Sequence, residues 1–534
     1  MRSYYYLILI VAGIALFFIN VIVTGPLTVQ VTDFLGLTSR LGLFYWVGLG
    51  LTLLGVAFAF LSKKRLNDIV YVGLLLTVVL FIFGADVFLE SNARNSIPYW
   101  FAGNTEYILQ HNIVSLTSVD SLDRYNAFPG ANFISTFLVS VTGANVLDLI
   151  RYVPLLWGVF FAVLSYILGK ALSLEKSASF ALALLALSGF WVGQNYFSAQ
   201  AFAYLIYVSM FILVLLISEQ KKGSIPAFIA YIALVMTHML TSLTALIALA
   251  FKKKVPKILF IGLIAVFILW LVYVATAAVK IGFNTFFLQI LNMDFFTFSH
   301  AVGYGPVSSL QREISRDLRL FYPLTFALLI CVSLILYFRG MVKQEHKGMF
   351  QFCLGWILSI LPLLILRYGV EIDLRVYIYA LIPMASLIIL GCQRYKKMLL
   401  VPLVLLIVLH VPATYSNEFS TQTYSADLSG GAFYLRTTDF SKPFFYWGSL
   451  GYLFYLDPQT VTYHSWKSIP ETAYRTGQGA LRAFDNVTYI LNGPQGRNDF
   501  IYNYGFDLVK EWSQNNTFNS YYDNGFFEIY SKTK

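Results

Sequence analysis

Apolar residues in this chain fall in long unbroken blocks, with neither the two-residue alternation of half-buried strands nor the single apolar stripe of a soluble helix. A helix needs about 20 such residues to cross a hydrocarbon core. Hydropathy gives about thirteen candidate spans, at 5–23, 42–62, 69–86, 146–170, 177–194, 200–218, 225–238, 240–251, 256–278, 321–338, 349–367, 375–392 and 398–413. The seventh and eighth are too short to cross alone at 1.5 Å rise per residue. They are either two half-helices meeting near His238 or one long tilted helix. The expected fold is an all-α polytopic membrane bundle.

Composition agrees with the pattern. The chain is 58% hydrophobic and 12% charged, with mean hydropathy +0.68, against about 25% charged residues in a soluble domain. Lys and Arg cluster in short alternate loops: Lys63-Lys64-Arg65, Lys170 with Lys176, Lys221-Lys222, Lys252-Lys253-Lys254, Arg339 with Lys343 and Lys347, and Arg394 with Lys396-Lys397. The positive-inside rule makes these loops cytoplasmic, with the N-terminus on that side. Most of the net charge of +10 lies there. It does not gather on one soluble face as nucleic-acid binding requires. The apolar run after Arg2 lacks a small-residue cleavage site and reads as a retained span. Cys331, Cys353 and Cys392 lie in or beside spans and suggest neither a disulfide framework nor a metal site.

The opposite face receives residues 86–145, 279–320 and 414–534. The last is the size of a small domain. Lys442–Gly448 and Asn486–Leu491 read as buried strands, and Tyr521–Tyr530 as a hairpin in which Asn524-Gly525 supplies the positive φ angles of a tight turn. A small extracytoplasmic α/β domain is expected. Its sequons at Asn486 and Asn515 suit that location.

Candidate chemistry gathers on the same face. The third span runs into Asp86, with Glu90 and Arg94 following at i+4 and i+8. A helix continuing past the membrane edge would stack the three on one side until Pro98 ends it. A carboxylate at that position is either a general base or one charge of a solvated helix end. Beyond it come His111, Asp120, Asp123-Arg124-Tyr125, Phe128-Pro129-Gly130 and an interfacial or re-entrant helix over 133–142 with Gly143 as its stop. Asp148 and Arg151 stand at i, i+3 and are expected to pair. His238, within an apolar run, is a functional candidate or a neutral histidine bonded to a neighbouring helix. Arg312, Arg316 and Arg319 share a helix face that is either cationic, for phosphate, or laced with its own ion pairs. Arg375 opens a late span, where it can snorkel to headgroups or hold a lipid phosphate.

Asp86 at the end of a span, Tyr125-Asn-Ala-Phe-Pro-Gly130, Asn195-Tyr-Phe-Ser-Ala-Gln200, Thr237-His238-Met-Leu-Thr241 and the late arginine occur in an order that resembles the GT-C superfamily of polytopic membrane glycosyltransferases. The likeness covers residues 69–392. Family members often carry Ser-Pro-Gln where this chain has Ser198-Ala199-Gln200. The resemblance implies a core at 69–413 preceded by two extra spans within 1–68. It also implies transfer of a sugar from a polyprenyl-phosphate-linked donor to a glycan, lipid or protein acceptor outside the cytoplasm. Asp86 or Glu90 would be the base, with a divalent cation an option beside them. Arg94, Arg124, His238, Arg312, Arg316 and Arg375 would face substrate or phosphate. A glycan polymerase or ligase, and a lipid-glycan flippase, are the alternatives. Midplane charges and internal repeats, the marks of a transporter, are not seen in the sequence.

Overall fold

A computed structural model describes residues 3–30, 32–62, 66–114, 126–189, 196–220, 224–252, 255–276, 278–280, 310–365, 372–438, 442, 444–447, 451–456, 488–504 and 518–532. The described helices are α1 (Ser3–Thr24), α2 (Leu43–Leu61), α3 (Asp68–Phe83), α4 (Ala85–Leu89), α5 (Ile97–His111), α6 (Gly130–Thr142), α7 (Val146–Ala171), α8 (Lys176–Gly189), α9 (Ala199–Gln220), α10 (Ser224–Thr237), α11 (Met239–Ala250), α12 (Lys257–Tyr273), α13 (Leu310–Phe338), α14 (Gln344–Ile360), α15 (Ile372–Cys392), α16 (Leu400–Tyr415), α17 (Glu418–Thr421), α18 (Ser425–Thr437), α19 (Gly451–Leu456) and α20 (Pro494–Tyr504). All thirteen apolar segments are helical over most of their length. Among the described residues seven stretches are long and apolar enough to cross a membrane, the last of them, Leu374–Tyr415, taking in most of α15 and all of α16. Six shorter apolar helices accompany them. The protein is a multi-pass membrane protein.

The 225–251 region is two helices. His238 is extended (φ −159°, ψ 117°) and caps α11, its Nδ1 accepting from the Thr241 amide at 3.3 Å. A side chain thus takes up a donor that an unbroken helix would have paired with backbone.

Helix α3 does not run on through Asp86, Glu90 and Arg94. It stops at Gly84, where a Cβ would lie 2.4 Å from the Leu80 carbonyl and against Phe17. Helix α4 follows as little more than one turn, Glu90 is already extended (φ −105°, ψ 147°), and Asn95 has φ 67°. The three residues therefore do not share a helix face. Pro98 likewise opens α5 rather than ending a helix, since the first turn needs no N–H from proline.

Helix α6 covers the helix expected over 133–142 and starts three residues earlier, at Gly130. Phe133, Phe137 and Val141 stand exposed on one side, and Gly143 (φ 65°) ends it. The expected loop end at 310–320 is continuous with the following span in α13.

The C-terminal region is α/β. Strands β1 (Phe444–Trp447), β2 (Tyr489–Asn492), β3 (Phe518–Asp523) and β4 (Glu528–Lys532) form one sheet in the order β1-β2-β4-β3, with only β1 and β2 parallel. In the hairpin Gly525 alone takes positive φ (83°), because the Asn524 side chain instead accepts from the amides of Phe526 and Phe527 at 3.0 and 2.7 Å. Phe527 packs onto Gly430 of α18 and Gly493, which leave no room for a Cβ. The sequons at Asn486 and Asn515 lie outside the described residues.

Candidate active site

The break after α3 sets Asp86 at the end of the span, at a small cleft lined by Asp86, Asn92, Arg94, Arg151 and Tyr196 among others. Asp86 is 4% exposed. The Tyr415 hydroxyl lies 3.0 Å from its Oδ1. Burial is the main influence on the Asp86 carboxyl and pushes it up to about 7, helped by the negative charge of Glu418. Arg94, Tyr415 and the Val87 amide oppose the rise. A buried carboxyl balanced near neutrality suits proton abstraction from a hydroxyl.

Arg94 is buried beneath the cleft. Its Nε lies 2.6–2.7 Å from both carboxylate oxygens of Glu418, and its Nη2 donates to the Thr414 carbonyl at 2.8 Å and to Asn417 Oδ1 at 3.1 Å. Thr421 Oγ1 donates to the same carboxylate at 3.0 Å. The guanidinium thus joins the loop after α4 to the segment leaving the last span.

Glu90 is 1% exposed, and among the described residues neither of its carboxyl oxygens has a hydrogen-bond partner. Burial raises its pKa well above the usual carboxylate range, and the negative charges of Glu418 and Asp86 raise it further. An ionised Glu90 would be a buried, unpaired charge beside two other acids. A proton on Glu90 removes that repulsion.

Arg151 does not pair with Asp148. Its guanidinium donates to the carbonyls of Val87 and Ser91, both at 3.0 Å, and to that of Glu90. The chain leaves the short α4 at Glu90, and the planar fork satisfies one carbonyl of the helix and two just beyond it together.

A second polar group lies between helices. Thr241 Oγ1 is 2.9 Å from His238 Nδ1 and 3.0 Å from the Tyr379 hydroxyl. Arg375, one turn before Tyr379 on α15, is near enough for its charge to act on the imidazole. The turn at Phe128-Pro129-Gly130 closes on this group: a Cβ at Gly130 would sit 2.3 Å from Thr237 Oγ1, and Ala127 accepts from Trp270 at 3.1 Å. Motifs far apart in the chain meet here.

Arg312 and Arg316 lie on the first turns of α13, where Arg316 pairs with Asp317 at 2.9 Å. Arg319 donates to the Ala413 carbonyl at 3.0 Å. Arg124, Asp120 and Asp123 lie outside the described residues. Among the described residues no three His, Cys, Asp or Glu side chains converge as a metal set. The Asp86–Glu90 region already holds the cation of Arg94. Tyr415 and Glu418 escaped the sequence reading. Their only signal was a tyrosine and a carboxylate just beyond the last span.

No protein-family model and no curated protein matches the chain. Solved structures do. Mycobacterial arabinofuranosyltransferase AftD aligns over 88% of this chain and 40% of its own, at 11% identity and TM-score 0.50. ArnT from Cupriavidus metallidurans bound to undecaprenyl phosphate aligns over 87% of this chain and 98% of its own, at 11% identity and TM-score 0.48. The likeness to AftD establishes the fold, and the polytopic architecture expected from the sequence is the one observed.

Proposed function

We propose that the protein is a membrane glycosyltransferase that moves a sugar from a polyprenyl-phosphate-linked donor to a hydroxyl-bearing acceptor outside the cytoplasm. The observation that carries this reading is Asp86, buried at the outer end of α3, open to a cleft with two arginines and balanced near neutral pH. Asp86 takes the acceptor proton as the hydroxyl oxygen attacks the anomeric carbon. The glycosyl–phosphate bond breaks, and its electron pair leaves on the carrier phosphate. Arg375 and His238, joined by Arg312 and Arg316 from α13, are the groups proposed to meet that phosphate. Arg94, held by Glu418, shapes the cleft from below. The positive-inside asymmetry supports a cytoplasmic N-terminus and an outward-facing C-terminal domain.

The fold shared with an arabinofuranosyltransferase is in keeping with this reading. The test is mass spectrometry of surface glycans and lipid-linked sugars in a strain lacking the protein, complemented with wild type or Asp86→Asn. Loss of one glycan and accumulation of its lipid-linked donor, restored only by wild type, is the expected result. Restoration by both would overturn the assignment.

A further inference from the structure

Resting on the reading of Asp86 as the base, a second residue sets when that base becomes available. Tyr415 is the last residue of α16 and is wholly buried. Its hydroxyl oxygen lies 3.0 Å from the Ile82 carbonyl and also 3.0 Å from Asp86 Oδ1. A phenol has one proton to donate, so it cannot serve both acceptors at once. With a proton on Asp86 the arrangement closes: Asp86 donates to the Tyr415 oxygen, and Tyr415 donates to Ile82. With Asp86 ionised, Tyr415 must donate to the carboxylate, and the Ile82 carbonyl loses its phenol partner.

We propose that Tyr415 is a positioning residue for the transfer reaction, its hydroxyl turning from the Ile82 carbonyl to Asp86 as the carboxyl gives up its proton. The hydroxyl then holds the carboxylate in place and lowers the pH at which it forms. The other groups facing Asp86 are fixed in kind. Arg94 favours the ionised carboxylate and Glu418 opposes it; Glu90 also faces it and opposes it only when itself ionised. Arg151 shares the cleft with its guanidinium committed to backbone carbonyls. From α2, Tyr45 also lies within electrostatic reach.

Tyr45 supplies the control. It is equally buried, and its hydroxyl donates at 2.6 Å to the Phe81 carbonyl, one residue before Ile82. Tyr45→Phe removes a hydroxyl from the same turn of α3 while leaving the bond to Asp86 intact.

The experiment needs no sugar substrate. A hydrophobic carbodiimide reacts with a protonated carboxyl: the acid proton moves to a carbodiimide nitrogen, oxygen bonds the central carbon, and an acyl shift leaves a stable N-acylurea. Labelling of Asp86 in the full-length protein, read by mass spectrometry across pH, gives the midpoint of its titration. Tyr415→Phe should raise that midpoint by about one pH unit, the effect of losing a hydrogen bond to a carboxylate, and Tyr45→Phe should leave it in place. Equal midpoints in wild type and Tyr415→Phe, equal shifts in both variants, or an Asp86 unlabelled at every pH would each overturn the proposal. Infrared titration of the wild-type protein provides a measurement independent of variant folding. A tyrosine C–O band should shift at the Asp86 midpoint and stay fixed in Asp86→Asn; a band that does not move with the carboxyl also overturns the proposal. Because no transfer is measured, failure here is distinct from failure of the glycosyltransferase reading, which shows in the glycans made by Asp86→Asn.

Discussion

Arg94 and Glu418, 324 positions apart in the chain, form a buried ion pair with Nε 2.7 Å from Oε1. Both side chains are almost wholly out of solvent, at 8% and 0% exposure. The pair fastens the loop that carries the catalytic candidate to the segment that enters the C-terminal domain.

Removing one partner leaves the other charge buried without compensation, at a cost of about 3–5 kcal/mol. Arg94→Gln and Glu418→Gln should each lower the unfolding temperature of the purified protein markedly. The double variant should lose less than the sum of the two. Additive losses in the double-mutant cycle would mean that the ion pair does not couple the two segments.

Asp86→Asn keeps size and removes the base, so turnover should fall by about 10²–10⁴-fold with donor affinity little changed. Wild-type turnover should rise with pH through about 7, since only the ionised carboxylate abstracts a proton. Glu90→Gln mimics a protonated Glu90 and should stay close to wild type. Rates from purified variants supplied with native lipid extract decide the matter. An inactive Glu90→Gln beside an active Asp86→Asn would move the base to Glu90.

Asp427 is buried in α18, and its carboxyl oxygens lie 3.2 Å from the Tyr424 amide and 3.3–3.4 Å from that of Gln495. Burial raises its pKa from 3.8 to about 7 against those two bonds. The folded protein therefore holds a proton that the unfolded chain has released. The stabilisation is fully present below the unfolded value of 3.8 and is lost as pH rises through about 7. Asp427→Asn should flatten the decline of unfolding temperature over that window. An unchanged slope would show that Asp427 titrates alike in both states.

Orientation is checked by labelling single cysteines in a cysteine-free background on intact cells. A cysteine at Asn524, on the exposed hairpin, should react with an impermeant thiol reagent. One at Lys347, before the body of α14, should react only after permeabilisation. The reverse pattern would place the proposed site on the cytoplasmic side.

What the sequence determined by itself was what depends on local composition. Apolar blocks of about 20 residues must be buried in lipid or protein, so the apolar helices were visible. Gly143 and Asn524-Gly525 marked turns because backbone conformation there depends on one or two residues. Asp86 stood out because it is the first carboxylate after an apolar run and so falls at the edge of the apolar block. The tertiary structure decided how those residues meet. Gly84, where α3 ends, lies so close to Phe17 of α1 that a Cβ would touch that ring, a contact that no local pattern encodes. Glu90 and Arg94 looked like helix neighbours of Asp86. The real partner of Arg94, Glu418, is brought to it by α16 packing back to the C-terminal end of α3. Tyr415 could be recognised only once its hydroxyl stood between two acceptors. Span formation is a one-dimensional partition between water and lipid, readable along the chain. The charge state of Asp86 is set by dehydration and by charges that arrive from across the fold, so only the folded arrangement determines it.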